Sequence, residues 1–205
     1  MTLLRFVQKD SIRNFSLLEF ENDILKCLEA LKGNGIILYP TDTVWGIGCD
    51  ATNRDAVKKI FTLKNRPDEE SMIVLVADER EVLRHVSQPD LQVFDYLKKT
   101  QKPTTVIYPG AIGFADNLIG KDGSIAIRIC RNEFCRHLIK RFRKPIVSTS
   151  ANISGEPPPK NYSDISGQIS GNVDYVVQYG QDNKTIAEPS SLIKWEKGKL
   201  IVLRS

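Results

Sequence analysis

The chain has 205 residues, 41% apolar and 26% charged, with 29 basic and 25 acidic side chains for a net charge of +4. Those values fit a soluble globular protein of one large domain, and so slight a basic excess suits an anionic ligand without marking a nucleic-acid binder. No apolar run approaches the ~18 residues that span a bilayer, and Met1–Phe6 is soon followed by Lys9, Asp10 and Arg13, so no signal-peptide core and a cytoplasmic location are expected.

Residues 1 to about 15 read as an edge strand or arm. A helix fits Asn22–Lys32, with Ile24, Leu25, Leu28 and Leu31 on one face. Gly33 and Gly35 are expected to end it by supplying left-handed conformations. The apolar run Ile36–Tyr39 reads as a buried strand closed by Pro40. A second helix fits Arg54–Lys64, capped by Asn53 or Thr52, with Val57, Ile60 and Phe61 inward. Met72–Ala77 is strand-like, and Glu79–His85 and Asp90–Lys99 are helical. Strands follow at Thr104–Tyr108 and Ile125–Ile129, then an amphipathic helix at Glu133–Phe142 and a short strand at Ile146–Ser148. Glu156-Pro157-Pro158-Pro159 must be a loop, because its prolines lack backbone donors. Tyr175–Val177, Ser191–Lys194 and Leu200–Leu203 are further strands, the last two joined by a hairpin at Glu196–Lys199. Strands and helices alternate throughout. The expected class is therefore α/β: a single domain over residues 1–205, with a twisted mixed parallel and antiparallel sheet flanked by helices.

Several chemistries lack their residues. Cys27, Cys49, Cys130 and Cys135 are scattered, with no C-x-x-C pair, and read as reduced thiols. His85 and His137 form no cluster with them, which argues against zinc. His137 falls in a helical run and reads as a packed or surface position rather than a triad base. Gly46-x-Gly48-x-x-Ala51, with Asp68 further on, mimics a dinucleotide fingerprint. The strand–turn–helix context that motif needs is missing, since Pro40 interrupts the strand and the helix begins only after Thr52. Gly120-Lys121 is followed by Asp122, so no phosphate loop of the Walker type is present.

Polar and basic residues concentrate just past apolar strands, where α/β sheets bind ligands. Lys64 and Arg66 end a helix. They are either a solvated helix terminus or an anion clamp that pairs a point charge with a planar fork. Ser148, Thr149, Ser150 and Ser154 with Asn152 supply donors and acceptors within one short stretch, which composition alone would call a turn.

At these residues the sequence resembles the YrdC-like threonylcarbamoyl-AMP synthases. The resemblance runs through Tyr39-Pro40-Thr41-Asp42-Thr43-Val44-Trp45-Gly46-Ile47-Gly48 and Lys64-Asn65-Arg66-Pro67. It continues through Ser124–Arg128, Lys144–Gly155, Glu188–Ile193 and Leu203-Arg204, five motifs and a terminal pair in the family's order. It implies the short single-domain form of the family, with a large basic concave cleft. It also implies condensation of L-threonine, bicarbonate or CO₂, and ATP to threonylcarbamoyl-AMP and pyrophosphate, with Mg²⁺ accompanying ATP. A separate transferase would pass the threonylcarbamoyl group to tRNA.

The family signature falls on Lys64, Arg66, Ser150 and Asn152 as catalytic residues. The resemblance puts Lys64, Arg66, Ser124, Asn152 and Arg204 on the ATP side. It puts Thr41, Arg128, Ser150 and Ser190 on the threonine side, where an arginine fork suits a carboxylate. Two segments depart from the family pattern. Asp68-Glu69-Glu70-Ser71 places three carboxylates beside the expected triphosphate, where they would repel it or help hold magnesium, and Thr100–Thr105 replaces a Trp-Pro-Gly-Pro-type stretch. Two other readings accompany the synthase. One is a non-catalytic module that binds tRNA or double-stranded RNA through Arg136, Lys140, Arg141, Arg143 and Lys144. The other is a paralogue that adenylates a different carbamoyl substrate.

Overall fold

The computed structural model describes residues 19–67, 72–186, 188–196 and 199–205. The expected arm at residues 1–15, the acidic stretch 68–71 and the turn residues 197–198 lie outside the described residues.

Helix α1 spans Glu21–Lys32 and buries Asp23, Ile24, Cys27 and Leu31. Leu25, expected inward, is 56% exposed. The buried stripe is narrower than the apolar pattern suggested, because Cys27 and Asp23 take the inward places. Asp23 is satisfied there by Tyr175 Oη at 2.6 Å and by the backbone N–H groups of Gln178 and Tyr179, each at 2.9 Å. The helix end also differs from expectation. Gly33 has an ordinary φ of −80°, and the left-handed residue is Asn34 at φ +58°. Gly35 is needed for space instead: a Cβ there would meet the Ala30 carbonyl and the Asp174 carboxylate at 2.8 Å.

Strand β1 (Ile37–Tyr39) turns through residues 40–45 into β2 (Gly46–Gly48). The glycine pair that mimicked a dinucleotide fingerprint is therefore a strand. Its glycines let backbones approach: a Cβ on Gly48 would lie 2.4 Å from the Val147 carbonyl oxygen. Helix α2 (Arg54–Lys64) starts at Asn53, whose side chain accepts the Ala56 N–H, and ends at Asn65 in the left-handed region. The Asn65 N–H donates to Thr62 O and the Arg66 N–H to Phe61 O, a paired C-terminal closure. The remaining elements are β3 (Ile73–Val76), α3 (Glu79–His85), α4 (Gln92–Lys99), β4 (Thr104–Tyr108), β5 (Ile125–Ile129), α5 (Glu133–Phe142), β6 (Ile146–Ser150), α6 (Gly167–Ser170), β7 (Tyr175–Val176), β8 (Ser191–Glu196) and β9 (Lys199–Arg204).

The strands form one sheet in the order β7-β1-β2-β6-β3-β5-β4-β8-β9. The pairs β1–β7, β3–β5 and β4–β8 are parallel, and the others are antiparallel. This is the mixed α/β sheet expected from the sequence. Alternation along the strands sorts its two faces. Val147, Val74, Ile127, Val106 and Ile193 are successive cross-strand partners and all are buried. β-branched residues fill that row because they pack well on a pleated surface. The next row, Ser148, Ile73, Ala126 and Ile107, faces the other way and floors a cleft.

Helices α1 and α5 pack on each other, with Phe20 and Phe134 edge-on at 5.7 Å. Among the described residues no helix is long and apolar enough to cross a membrane. All four cysteines are buried and unbridged. Gly48→Ala should cost about 1–3 kcal/mol of stability, because the new methyl meets the Val147 carbonyl and the buried Tyr39 and Ile146 side chains, which have little room to move. Urea unfolding of the purified variant measures it.

Candidate active site

The cleft lies on the glycine- and serine-bearing face of the sheet and has a volume of about 520 Å³, within the usual range for small-ligand sites. Six stretches distant in sequence line it: the β1–β2 turn, the α2–β3 connection with the start of β3, β4, β5, the β6 end with its following loop, and the β8–β9 hairpin. They bring Arg66, Arg128, Ser150, Asn152, Ser190 and Arg204 together. Lys64, Thr41 and Ser124 do not line it.

Lys64 is 1% exposed. The left-handed Asn65 reverses the chain, so Lys64 turns inward while Arg66 reaches the cleft wall. The Lys64 ammonium donates to the carbonyl oxygens of Ser150 and Asn152, each at 2.5 Å, and the Lys64 carbonyl accepts from the Ser154 N–H at 2.8 Å. Lys64 therefore ties down the loop after β6 from beneath. Burial, reinforced by the Arg66 charge, pulls its ammonium down to about 8.

Thr41 is spent on its own turn, donating to Val44 O at 2.9 Å and accepting the Thr43 N–H at 3.0 Å. It lines a separate small cavity beside the cleft, and Thr43 takes the cleft-facing place. Ser124 precedes β5 and shares the strand face of Ala126 and Arg128 by parity, but its backbone closes a turn with Asp122 outside the cleft lining.

Two buried polar atoms on the cleft lack hydrogen-bond partners: Arg128 Nε, a donor, and Asn152 Oδ1, an acceptor. Native interiors rarely leave such atoms orphaned, so both have bonding capacity to offer a water or a ligand in the cleft. The Asn152 orientation is set by its amide nitrogen, which donates to Ile153 O at 3.0 Å and Glu156 O at 2.6 Å. Its free oxygen therefore faces a donor or a cation, not a phosphate oxygen.

The Ser190 and Thr105 hydroxyls, both buried, bond at 2.8 Å. Arg204 donates through Nε and Nη2 to the Ser190 carbonyl at 3.1 and 2.9 Å, which fixes it on the cleft wall. Met72, Ile73, Ile107, Leu192, Pro158 and Pro189 supply apolar walls. The sequence reading passed over Thr43, Glu156 and these apolar residues. Thr43 stood inside a quoted motif, whereas Glu156 read only as the start of a proline loop. His137 is a half-buried helix position, 3.9 Å from Glu133.

Comparison with known proteins places most of the chain in one family. The Sua5/YciO/YrdC family model, described as "Telomere recombination", matches residues 29–205. A threonylcarbamoyl-AMP synthase of Idiomarina loihiensis is 33% identical over 162 residues, covering 78% of this chain and 86% of that protein. One from Photobacterium profundum is 31% identical over 170 residues, covering 80% and 92%. The crystal structure of P. abyssi Sua5 complexed with L-threonine superposes with a TM-score of 0.79 at 24% identity, over 88% of this chain. This chain spans about half of that longer protein, 53% of its length.

Lys64→Met would remove both donors from the Ser150 and Asn152 carbonyls. Each bond comes from a charged donor and its loss leaves a carbonyl unpaired, at about 1–3 kcal/mol, partly offset by no longer burying a charge. A net loss of about 2 kcal/mol is expected in denaturant unfolding.

Proposed function

The chain belongs to the Sua5/YciO/YrdC family, and we propose that its cleft carries out the reaction for which its bacterial relatives are named, synthesis of threonylcarbamoyl-AMP. The observation that carries this reading is the meeting of Arg66, Arg128, Ser150, Asn152, Ser190 and Arg204 in one cleft from four distant stretches. The reaction needs threonine, bicarbonate or CO₂, and ATP held together, which is largely a task of positioning anions.

Arg128, buried on β5 with an orphan Nε, is the receptor for the threonine carboxylate. Arg66 and Arg204 face the nucleotide phosphates, and the apolar wall of Ile107 and Leu192 suits a base. The threonine amine attacks CO₂ or dehydrating bicarbonate and gives a carbamate. A carbamate oxygen then attacks the α-phosphorus, the α–β bridging oxygen leaves with pyrophosphate, and a mixed anhydride remains. No protein nucleophile is required. Arginine forks and serine hydroxyls offset charge that grows on phosphate oxygens.

Magnesium fits this cleft as an ion carried by ATP. The orphan Asn152 Oδ1 and the Glu156 carboxylate are the oxygen donors available to it. Among the described residues no three His, Cys, Asp or Glu side chains cluster to hold a metal on their own. Mg²⁺ commonly takes one or two protein oxygens, with phosphate and water supplying the rest, and when bound it neutralises phosphate charge.

The anhydride product is reactive toward water, so a separate transferase acting on tRNA is the fitting consumer. Direct RNA binding by the α5 end is less favoured. Arg141 is paired bidentately with Glu21, and Lys144 with Asp50 at 2.5 Å, which removes two charges from the basic run.

Purified protein given ATP, bicarbonate and L-threonine should release pyrophosphate, and omitting threonine should abolish the release. Release that does not depend on threonine overturns the reading. Arg128→Ala should raise the KM for threonine by about tenfold or more with little change in that for ATP. Lys64 is a cation below about pH 8 and neutral above it. Its charge holds the Ser150–Asn152 loop from beneath, so ATP affinity should fall as pH rises through about 8. In Lys64→Arg, which stays charged, titration calorimetry should show no such fall.

A further inference from the structure

The arginines of the cleft are not electrostatically equal. Arg128 is 3% exposed, and its Nη2 lies 3.1 Å from Asp42 Oδ1. Both side chains are at least nine-tenths buried. The two charges touch without a well-formed hydrogen bond, since Asp42 Oδ1 has no hydrogen-bond donor. Asp42 cannot swing away, because its other oxygen accepts the Arg131 backbone N–H at 3.0 Å. That bond pins the β1–β2 turn to the end of β5. Arg128 with Asp42 is thus a unit of zero net charge in a low-dielectric setting.

Arg204 differs. Its guanidinium donates to the Ser190 carbonyl, a neutral partner, and keeps its full charge. It stands three strands from β5, about 14 Å away at ordinary strand spacing. One end of the cleft therefore offers net positive charge and the other an arginine already neutralised.

We propose that Asp42 is a specificity-determining residue that reserves Arg128 for an amino acid and keeps phosphate groups out of that end of the cleft. The inference rests on the assignment of Arg128 to the threonine carboxylate made above. A zwitterionic amino acid has no net charge and meets little opposition from Asp42. A phosphate group would bring its full negative charge close to a fixed carboxylate, and juxtaposed like charges cost several kcal/mol. Without Asp42 the buried Arg128 charge would be uncompensated, a costly state that any anion relieves. The triphosphate is thereby directed toward Arg66 and Arg204. Asp42 acts through Arg128 and is a positioning residue, not a catalytic one.

The test is titration calorimetry of L-threonine at constant ionic strength, with the nucleotide end filled by a non-hydrolysable ATP analogue and inorganic phosphate as competitor. In the unaltered protein, phosphate should leave the threonine Kd within about twofold. In Asp42→Asn the same phosphate concentration should raise it about tenfold or more, and Asp42→Glu should restore rejection. Threonine binding to Asp42→Asn that phosphate does not disturb overturns the inference. Failure of the unaltered protein to bind threonine at all overturns the Arg128 assignment instead. Circular dichroism checks the fold of each variant. If Asp42→Asn does not fold, Asp42→Asn/Arg128→Gln removes both buried charges and should lose threonine binding. Wild-type threonine affinity in that double variant overturns the Arg128 assignment and, with it, the inference that rests on it.

Discussion

A buried ammonium group fastens the working end of this protein. Lys64 leaves the last turn of α2, passes beneath the loop after β6 and donates to two of that loop's carbonyls. A cation held this way resists burial less than one facing hydrocarbon, because carbonyl dipoles stand in for the water it gave up. It also sets where Ser150 and Asn152 point. The position of Arg66 follows from the same turn, since Asn65 takes the left-handed conformation that sends consecutive side chains in opposite directions. Loss of the charge beneath would disturb the hydroxyl, the amide and the neighbouring arginine together.

Strand β6 is the other organising element. Its first half pairs with β3 and its second half with β2, so one five-residue strand joins the two portions of the sheet. The close approach at Gly48 belongs to this junction. Because β6 runs out of the junction into Ser150 and Asn152, functional polar groups emerge where two rigid portions meet. A buried β-branched row on one face, and a row of Ser148, Ala126 and two isoleucines on the other, give the sheet a core side and a ligand side.

Much of this was legible in the sequence. The β-branched runs at Ile73–Val76 and Ile125–Ile129 carry the strand signal strongly, and Asn53 with Val57, Ile60 and Phe61 carries the helix signal. The cleft arginines and serines stood in recognisable motifs. What sequence reasoning missed is set by contacts between distant segments. Asp23 occupies an inward place on α1 only because Tyr175, Gln178 and Tyr179 arrive from far along the chain to satisfy it. Gly33 and Gly35 looked like helix stops, yet Asn34 makes the turn and Gly35 answers to Asp174. Lys64 and Arg66 looked equivalent two residues apart, and nothing local reveals that one is buried and the other lines the cleft. Glu156 and the apolar walls gain meaning only once the strands are laid side by side.

Among the described residues Arg204 sits on β9, which pairs with β8 alone and leaves Leu200–Leu203 exposed. An outer strand is ordinarily the first part of a sheet to open. A cleft with one wall hung on such a strand is least secure when empty. The Arg204 guanidinium already holds the hairpin on the Ser190 carbonyl, and an anion that engages it would add to that hold. Ligand binding and edge-strand order are then linked quantities, and part of the free energy of recognition is taken up in fastening β9. Affinity at this cleft consequently includes the cohesion of the hairpin as well as the chemistry of the arginine.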